Sequence, residues 1–390
     1  MEEGETKKGL EKLIRDEIEE KGPISFKRFM ELSLYHPEYG YYTGSSFPIG
    51  ACGDFITSAQ ASPLFGALMA VQVSELMEII GEDAEVVEFG PGTGALAAGL
   101  LGYLKEHEKG LFQRLTYHLV EPFKSRRQPL LRALEAFSDR ISLWTSYPDG
   151  AARAVVIANE VLDAFPVHVV HKKDGVFHEV FVDADQDGFR EVLIPISHPA
   201  SGHQEPSRNE RLLRYIEDHL KDVPDDYRTE VNLEVKEWMD DLSRAFKKGF
   251  VIVIDYGFSR RHYLDPARNR GTILGYSRHM VTEDLLSRPG LVDLTAHVNF
   301  SDLKSWAEQA GFRPVGYAPQ WAFLGGLDFE KTVRRVMGEL DPFSPKLAGI
   351  KALIFPQAMG ESHKVMMLSK GIDEGFVPKG FRLRNDLERL

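Results

Sequence analysis

The sequence predicts an α/β fold: a Rossmann-like, seven-stranded core with a helical N-terminal part and a large insertion between the fourth and fifth strands. Three observations predict it. In "AEVVEFGPGTGALAAGLLGYL" (84–104), a β-branched run meets three closely spaced glycines and then an Ala- and Leu-rich helical pattern. That is the strand, tight turn and helix N-terminus with which α/β proteins seat a nucleotide. Further short apolar runs recur at α/β spacing after it. Between the fourth and fifth runs lies a segment, 160–248, much longer than one crossover needs.

The elements follow in order. Leu10, Leu13, Ile14 and Ile18 fall at helical spacing, and Gly22-Pro23 ends that helix. "ISFKRFMELSLYH" reads as a second helix with Ser25 as its N-cap. Residues 39–58, rich in Gly, Ser and Tyr, read as a long loop, and 63–80 as a third helix. Strands are expected at 86–89, 117–121, 141–144 and 155–159, with "GFVIVIDYG" (249–257) as the central parallel strand. A helix at 301–312 and strands at 313–317 and 363–369 complete the sheet. Within the insertion, "VHVVHKKDGVFHEVFVD" reads as a hairpin turning at Lys173-Asp174-Gly175, and "NLEVKEWMDDLSRAFK" as a helix. The expected division is 1–83 (helical region with a cofactor-covering loop), 84–165 (first half of the core), 166–247 (inserted cap) and 248–390 (second half with C-terminal additions).

A net charge of −12 argues against a general affinity for nucleic acid, which needs a basic face. The lone cysteine, Cys52, excludes an internal disulfide and a cysteine-based zinc site. The first twenty residues hold no signal-peptide apolar run and are too acidic for a mitochondrial presequence, and no membrane insertion is expected; a cytoplasmic protein is the expectation.

Two fingerprints overlay the glycine turn. Gly90-Pro91-Gly92-Thr93-Gly94-Ala95 fits the dinucleotide pattern, and Glu88 through Gly94 fits the acid-x-G-x-G-x-G pattern of S-adenosylmethionine enzymes. Glu121, closing the second strand, suits ribose hydroxyls in either case. Charge separates them. A pyrophosphate at the helix N-terminus makes Glu88 an awkward neighbour, whereas a sulfonium and an ammonium are suited by Glu88, Asp54 and Glu160. S-adenosyl-L-methionine is the expected cofactor.

"GPISFKRFM", "HPEYGYY", "GDFITS", "EFGPGTG", "LVEP", "ANEVLDAFPV", "IDYG" and "DLTAHVNF" occur in this order, and the ensemble resembles the MidA-like family of methyltransferases from about Gly22 to Phe323. The resemblance implies a class I methyltransferase core, S-adenosylmethionine, and an arginine of a partner protein as substrate; relatives in that family act on a core subunit of respiratory complex I and support its assembly. It implies that Gly53, Asp54, Phe55, Thr57 and Ser58 belong to a loop over the cofactor. Glu88, Gly90, Pro91, Gly92 and Gly94 match the family's glycine turn and Glu121 its ribose acid. Asn159, Glu160, Asp163, Pro166 and Val167 match the block after the fourth strand. The chain departs from the family's usual Pro-Glu at Ala59-Gln60, its usual Asp at Asn299 and its usual Gln at Val292, which bears on the substrate more than on the chemistry.

A guanidinium stays charged to above pH 12, so an arginine nucleophile needs carboxylates to hold its fork and accept a proton. Asn159, Glu160 and Asp163 are the candidates, at a strand's carboxyl end where substrates meet such sheets. The bland alternative makes them a turn residue, a solvated acid and a helix-start acid. Asp255 with Tyr256 lines the pocket or merely ends a buried strand; His297 lines a substrate channel or packs in the core. His168 and His171 point to opposite faces of a strand, so no metal is expected there. An enzyme for a small molecule or another protein nitrogen, and a cofactor-binding assembly chaperone with little turnover, stay open beside the arginine reading.

Overall fold

The computed structural model describes residues 3–44, 57–81, 84–147, 153–196, 206–277, 280–339, 341 and 344–390. It forms two compact units, each discontinuous in sequence: Met1–Phe47, Ala164–Glu237 and Arg260–His297 make one; Pro48–Asp163, Trp238–Ser259 and Val298–Leu390 make the other.

The second unit holds the expected sheet. Its strands are β1 (Glu85–Phe89), β2 (Tyr117–Val120), β3 (Ile141–Trp144), β4 (Arg153–Asn159), β5 (Lys248–Phe258), β6 (Arg313–Pro319) and β7 (His363–Lys370). They lie in the order β6-β7-β5-β4-β1-β2-β3. β5 is central and runs parallel to β4, and β7 is antiparallel to both β5 and β6. Residues Phe250 to Ile254 are fully buried, which is why this strand reads as an unbroken apolar run rather than an alternating one. β1 lies between β4 and β2, so the chain leaves the middle of the sheet in two directions from the β1–β4 pair. In open α/β sheets ligands bind at such a switch point, beyond the carboxyl ends of the strands, here β1 and β4.

The helix Pro63–Ile80 begins at Ser62, whose side chain accepts from the Leu64 N–H, and has Pro63 at its first position. It is apolar around most of its girth because it packs in the core. Against it lies the helix Ala95–His107, which follows the glycine turn. The two approach closely at a pair of glycines: a Cβ on Gly66 would sit 2.8 Å from Gly99 Cα. The turn is thereby seated on a rigid crossing.

The other unit has its own core, built from Leu10, Ile14, Phe26, Phe29, Met30 and the inner faces of two sheets. Helices Glu3–Lys21 and Phe26–Tyr35 flank Gly22, and Ser25 caps the second by accepting from the Arg28 N–H. His168–Lys173 and Val176–Ala184 form the expected hairpin, with Asp174 and Gly175 both at positive φ (52° and 76°), as a two-residue turn requires. Tyr227–Val231 and Phe189–Pro195 extend that sheet, and Leu274–Ser277 joins Met280–Thr282 and Asp293–Thr295 in a second one.

The crossing gives a paired prediction. Gly66→Ala forces backbone apart and is expected to lower stability by about 1–3 kcal/mol, more than the ~1 kcal/mol that alanine gains in a helix. Gly102→Ala, on the helix of Gly99 but with only Phe137 Cζ at 4.0 Å, is expected to raise stability by up to about 1 kcal/mol. Urea midpoints at an unchanged slope check both.

Candidate active site

Three glycines shape the turn after β1. Gly90, Gly92 and Gly94 have φ of 58°, 55° and 80°, a region that favours glycine. A Cβ on Gly94 would come within 3.0 Å of Leu130, so that glycine serves packing. A Cβ on Gly92 would meet nothing within 4 Å among the described residues, which leaves this backbone free of packing there.

The acid before the turn, Glu88, is 3% exposed and accepts from the Tyr117 hydroxyl at 2.8 Å. Burial pushes its carboxyl up to about 7, and the Tyr117 hydroxyl pulls only weakly the other way. Glu121 ends β2, buried, and accepts from the Phe123 N–H at 2.9 Å, with Arg126 Nε 3.8 Å from its other oxygen. Here too burial raises the carboxyl above its usual range, against the pull of Arg126, the Phe123 N–H and Arg127.

The densest polar cluster stands at the end of β4. The Glu160 N–H donates to Ile254 O at 2.8 Å, one step beyond the β4–β5 ladder, and the backbone then turns left-handed with φ of 52°. For a glutamate this costs about 1–3 kcal/mol and persists only where its surroundings over-determine it. They do. Glu160 Oε1 accepts from the Ser58 N–H at 3.0 Å and from Asn159 Nδ2 at 3.3 Å. Glu160 Oε2 and Asn159 Oδ1 are buried and have no hydrogen-bond partner among the described residues. A Cβ on Gly90 would come within 3.1 Å of Val161, so this cluster adjoins the glycine turn.

Asp163 and Asp255 brace the segment behind. Asp255 accepts from the N–H groups of Leu162, Asp163 and Tyr256 at 3.1, 3.3 and 2.9 Å, and Asp163 accepts from the Tyr256 hydroxyl. Burial first, then the neighbouring Asp163 and Glu160 carboxylates, hold the Asp255 carboxyl well above its usual range. All three of these Asp255 contacts are to backbone, so it fixes the shape of the 160–164 turn.

Thr57 and Ser58 open a short helix. Thr57 and Gln60 form a reciprocal capping box, a role that glutamine fills as well as the family's usual glutamate. The Ser58 hydroxyl donates to Gln320 Oε1 at 3.0 Å and lies 3.3 Å from Met359 Sδ. Gln320, Met359 and His363 were not legible as site residues, because each precedes or follows an ordinary apolar run far along the chain. His363, buried at the start of β7, puts Nε2 3.8 Å from Glu160 Oε1. Gly53, Asp54 and Phe55 lie outside the described residues. His297 belongs to the other unit, where it is half-buried and its N–H donates to Thr272 Oγ1. His168 and His171 each face a carboxylate, Glu179 at 2.6 Å and Asp226 at 2.9 Å.

A family model for S-adenosyl-L-methionine-dependent methyltransferases matches residues 68–318. The chain belongs to this family. It is similar over its whole length to a crystal structure from Burkholderia thailandensis bound to S-adenosyl-homocysteine, at 30% identity and a TM-score of 0.86, with 98% of that chain covered. Curated relatives include the mitochondrial protein arginine methyltransferase NDUFAF7 of Mus musculus (29% identical, 88% of this chain and 80% of that protein). Its Caenorhabditis elegans homologue is 29% identical over 84% of this chain and 78% of that protein.

The methyltransferase is thus S-adenosylmethionine-dependent, with a class I core, and its residues fit that cofactor: open space over Gly92 among the described residues, and a buried carboxylate, Glu121, just after β2 for the ribose. The expectation of a cytoplasmic location is corrected. The curated relatives are mitochondrial proteins.

Glu88 sets a pH dependence. Its folded carboxyl is raised from 4.5 to about 7, so between these values the unfolded chain gives up a proton that the fold retains. The Glu88 contribution to stability therefore falls as pH rises through that window, by up to about 3 kcal/mol. Urea titrations from pH 4 to 8 on the parent and on Glu88→Gln are expected to show a steeper fall in the parent than in the variant, where the raised Glu121 and Asp255 carboxyls remain.

Proposed function

We propose that this methyltransferase acts on an arginine side chain of a partner protein, and that Asn159 and Glu160 grip the guanidinium. The observation that carries this reading is the state of Glu160. Its Oε1 is held by Ser58 and Asn159, while its Oε2 is buried and without a donor among the described residues. An acceptor so fixed suits a guanidinium N–H, and Asn159 Oδ1 beside it suits a second. The names of the curated relatives support an arginine substrate, and the family resemblance a respiratory complex I subunit as partner, with support of assembly as the role.

When bound, S-adenosylmethionine supplies a methyl group as an electrophile, the C–S electron pair staying with the neutral sulfide. What falls to the chain is alignment and the proton. Glu160, Asn159 and the glycine turn bring the reacting groups together in a dry crevice, the larger part of the work for an in-line displacement. The nitrogen that takes the methyl gives up one proton, and Glu160 Oε2 receives it.

Glu160→Gln keeps the shape and the Ser58 contact and loses the charge. Its affinity for S-adenosylmethionine is expected to stay within about threefold of the parent, while single-turnover transfer to an arginine peptide falls at least about tenfold, the equivalent of ~1.4 kcal/mol. A calorimetric titration paired with a rapid-quench assay reads both. Full transfer by the variant would move the role elsewhere; loss of cofactor affinity would make Glu160 a ligand of the cofactor's ammonium. Host proteins with and without this chain, compared by mass spectrometry, are expected to differ by methyl gain on arginine.

A further inference from the structure

We propose that His363 is the positioning residue for Glu160: its Nε2–H holds Glu160 Oε1, leaving Oε2 as the oxygen that faces the substrate. What Oε2 meets rests on the arginine reading above; the pairing of the two side chains does not.

His363 is 3% exposed, and its Nε2 has no hydrogen-bond partner among the described residues. A buried ring nitrogen left bare is unfavourable, so such atoms find partners. The acceptor it faces is Glu160 Oε1, at 3.8 Å. That gap exceeds a hydrogen bond by well under an ångström, the looseness common in catalytic clusters before the ligands arrive. The other ring nitrogen, Nδ1, lies 3.1 Å from Ser362 Oγ, whose own proton goes to Ala358 O at 3.2 Å, so Nδ1–H donates to Ser362 and it is the imidazolium, with both ring N–H groups, that directs Nε2–H at Glu160.

The imidazole is held in place from two sides. His363 opens β7 and pairs in register with Tyr256 on β5. The Tyr256 ring packs edge-on against it, with centroids 5.5 Å apart at 70°, and the Tyr256 hydroxyl is tied to Asp163. The charged groups around it are Glu160 directly, and Asp163 and Asp255 behind Tyr256. Lys364, next along the strand, is taken up by Glu361 at 3.2 Å. Three donors, from Ser58, Asn159 and His363, then converge on one oxygen of Glu160. With Oε1 saturated, the carboxylate cannot rotate to offer the wrong oxygen, which explains how a left-handed glutamate keeps a single orientation.

The test has a substrate-free arm and a turnover arm. In the full-length protein with S-adenosylhomocysteine, the His363 imidazole is assigned by NMR through its absence in His363→Leu. A carboxylate within about 4 Å favours the charged imidazole, so Glu160→Gln is expected to lower the His363 midpoint by at least about half a pH unit. In turnover, His363→Gln, which keeps an N–H at the Nε2 position, is expected to transfer within about threefold of the parent. His363→Leu is expected to lose at least about tenfold in kcat while its affinity for S-adenosylhomocysteine changes less than about twofold. An unmoved midpoint in Glu160→Gln, or a His363→Leu that transfers as the parent does, overturns the proposal. A shifted midpoint in a parent that methylates no arginine peptide keeps the pairing and overturns the arginine reading.

Discussion

At the end of β4 the chain leaves the sheet through a glutamate whose backbone is left-handed, and everything around the crevice is arranged to hold it so. The Glu160 N–H extends the β4–β5 ladder by one bond to Ile254, and its side chain turns back onto the Ser58 N–H. The strain of that conformation, about 1–3 kcal/mol, is matched by hydrogen bonds to a charged oxygen that contribute ~1.5–3 kcal/mol each. Asp255 secures the next turn by accepting from the Leu162 and Asp163 N–H groups. Removing Glu160's partners would therefore release the backbone as well as the carboxylate.

Charge is managed by burial. Glu88, Glu121 and Asp255 all have carboxyls raised by desolvation, and each is answered by a hydroxyl, backbone N–H groups or a distant guanidinium rather than by a close ion pair. Two acceptor oxygens at the end of β4, Glu160 Oε2 and Asn159 Oδ1, are left without donors among the described residues, which suits a cationic guest better than a pyrophosphate.

The sheet was legible because its strands are compact apolar runs, the central ones buried on both faces: all seven stand where apolar runs predict them, within a few residues at their ends. The hairpin after residue 167 was legible from its Asp-Gly turn. The strands Tyr227–Val231 and Phe189–Pro195 were not, since charged residues interrupt their apolar pattern, two of which, Arg228 and Glu191, form an ion pair. At the site, the glycine turn and the residues after β4 follow local patterns that a sequence can carry. His363, Gln320 and Met359 are brought to Ser58 and Glu160 only by the antiparallel return of β7 and the helices before it, which no local pattern records. Two departures from the family are explained by caps. Gln60 completes the Thr57 box, and Asn299 accepts from the Ser301 and Asp302 N–H groups as an aspartate would. For Val292, a buried core residue, nothing in the structure explains the exchange.

Central to this account is that Glu160 Oε2 is reserved for substrate rather than for cofactor. A crystal structure of the protein with S-adenosylhomocysteine and an arginine peptide tests it most directly. The account predicts a guanidinium nitrogen within hydrogen-bond distance of Glu160 Oε2, roughly 2.7–3.2 Å, with Oε1 still on the Ser58 N–H. A Glu160 carboxylate bound instead to the homocysteine ammonium, with the arginine elsewhere, would contradict it.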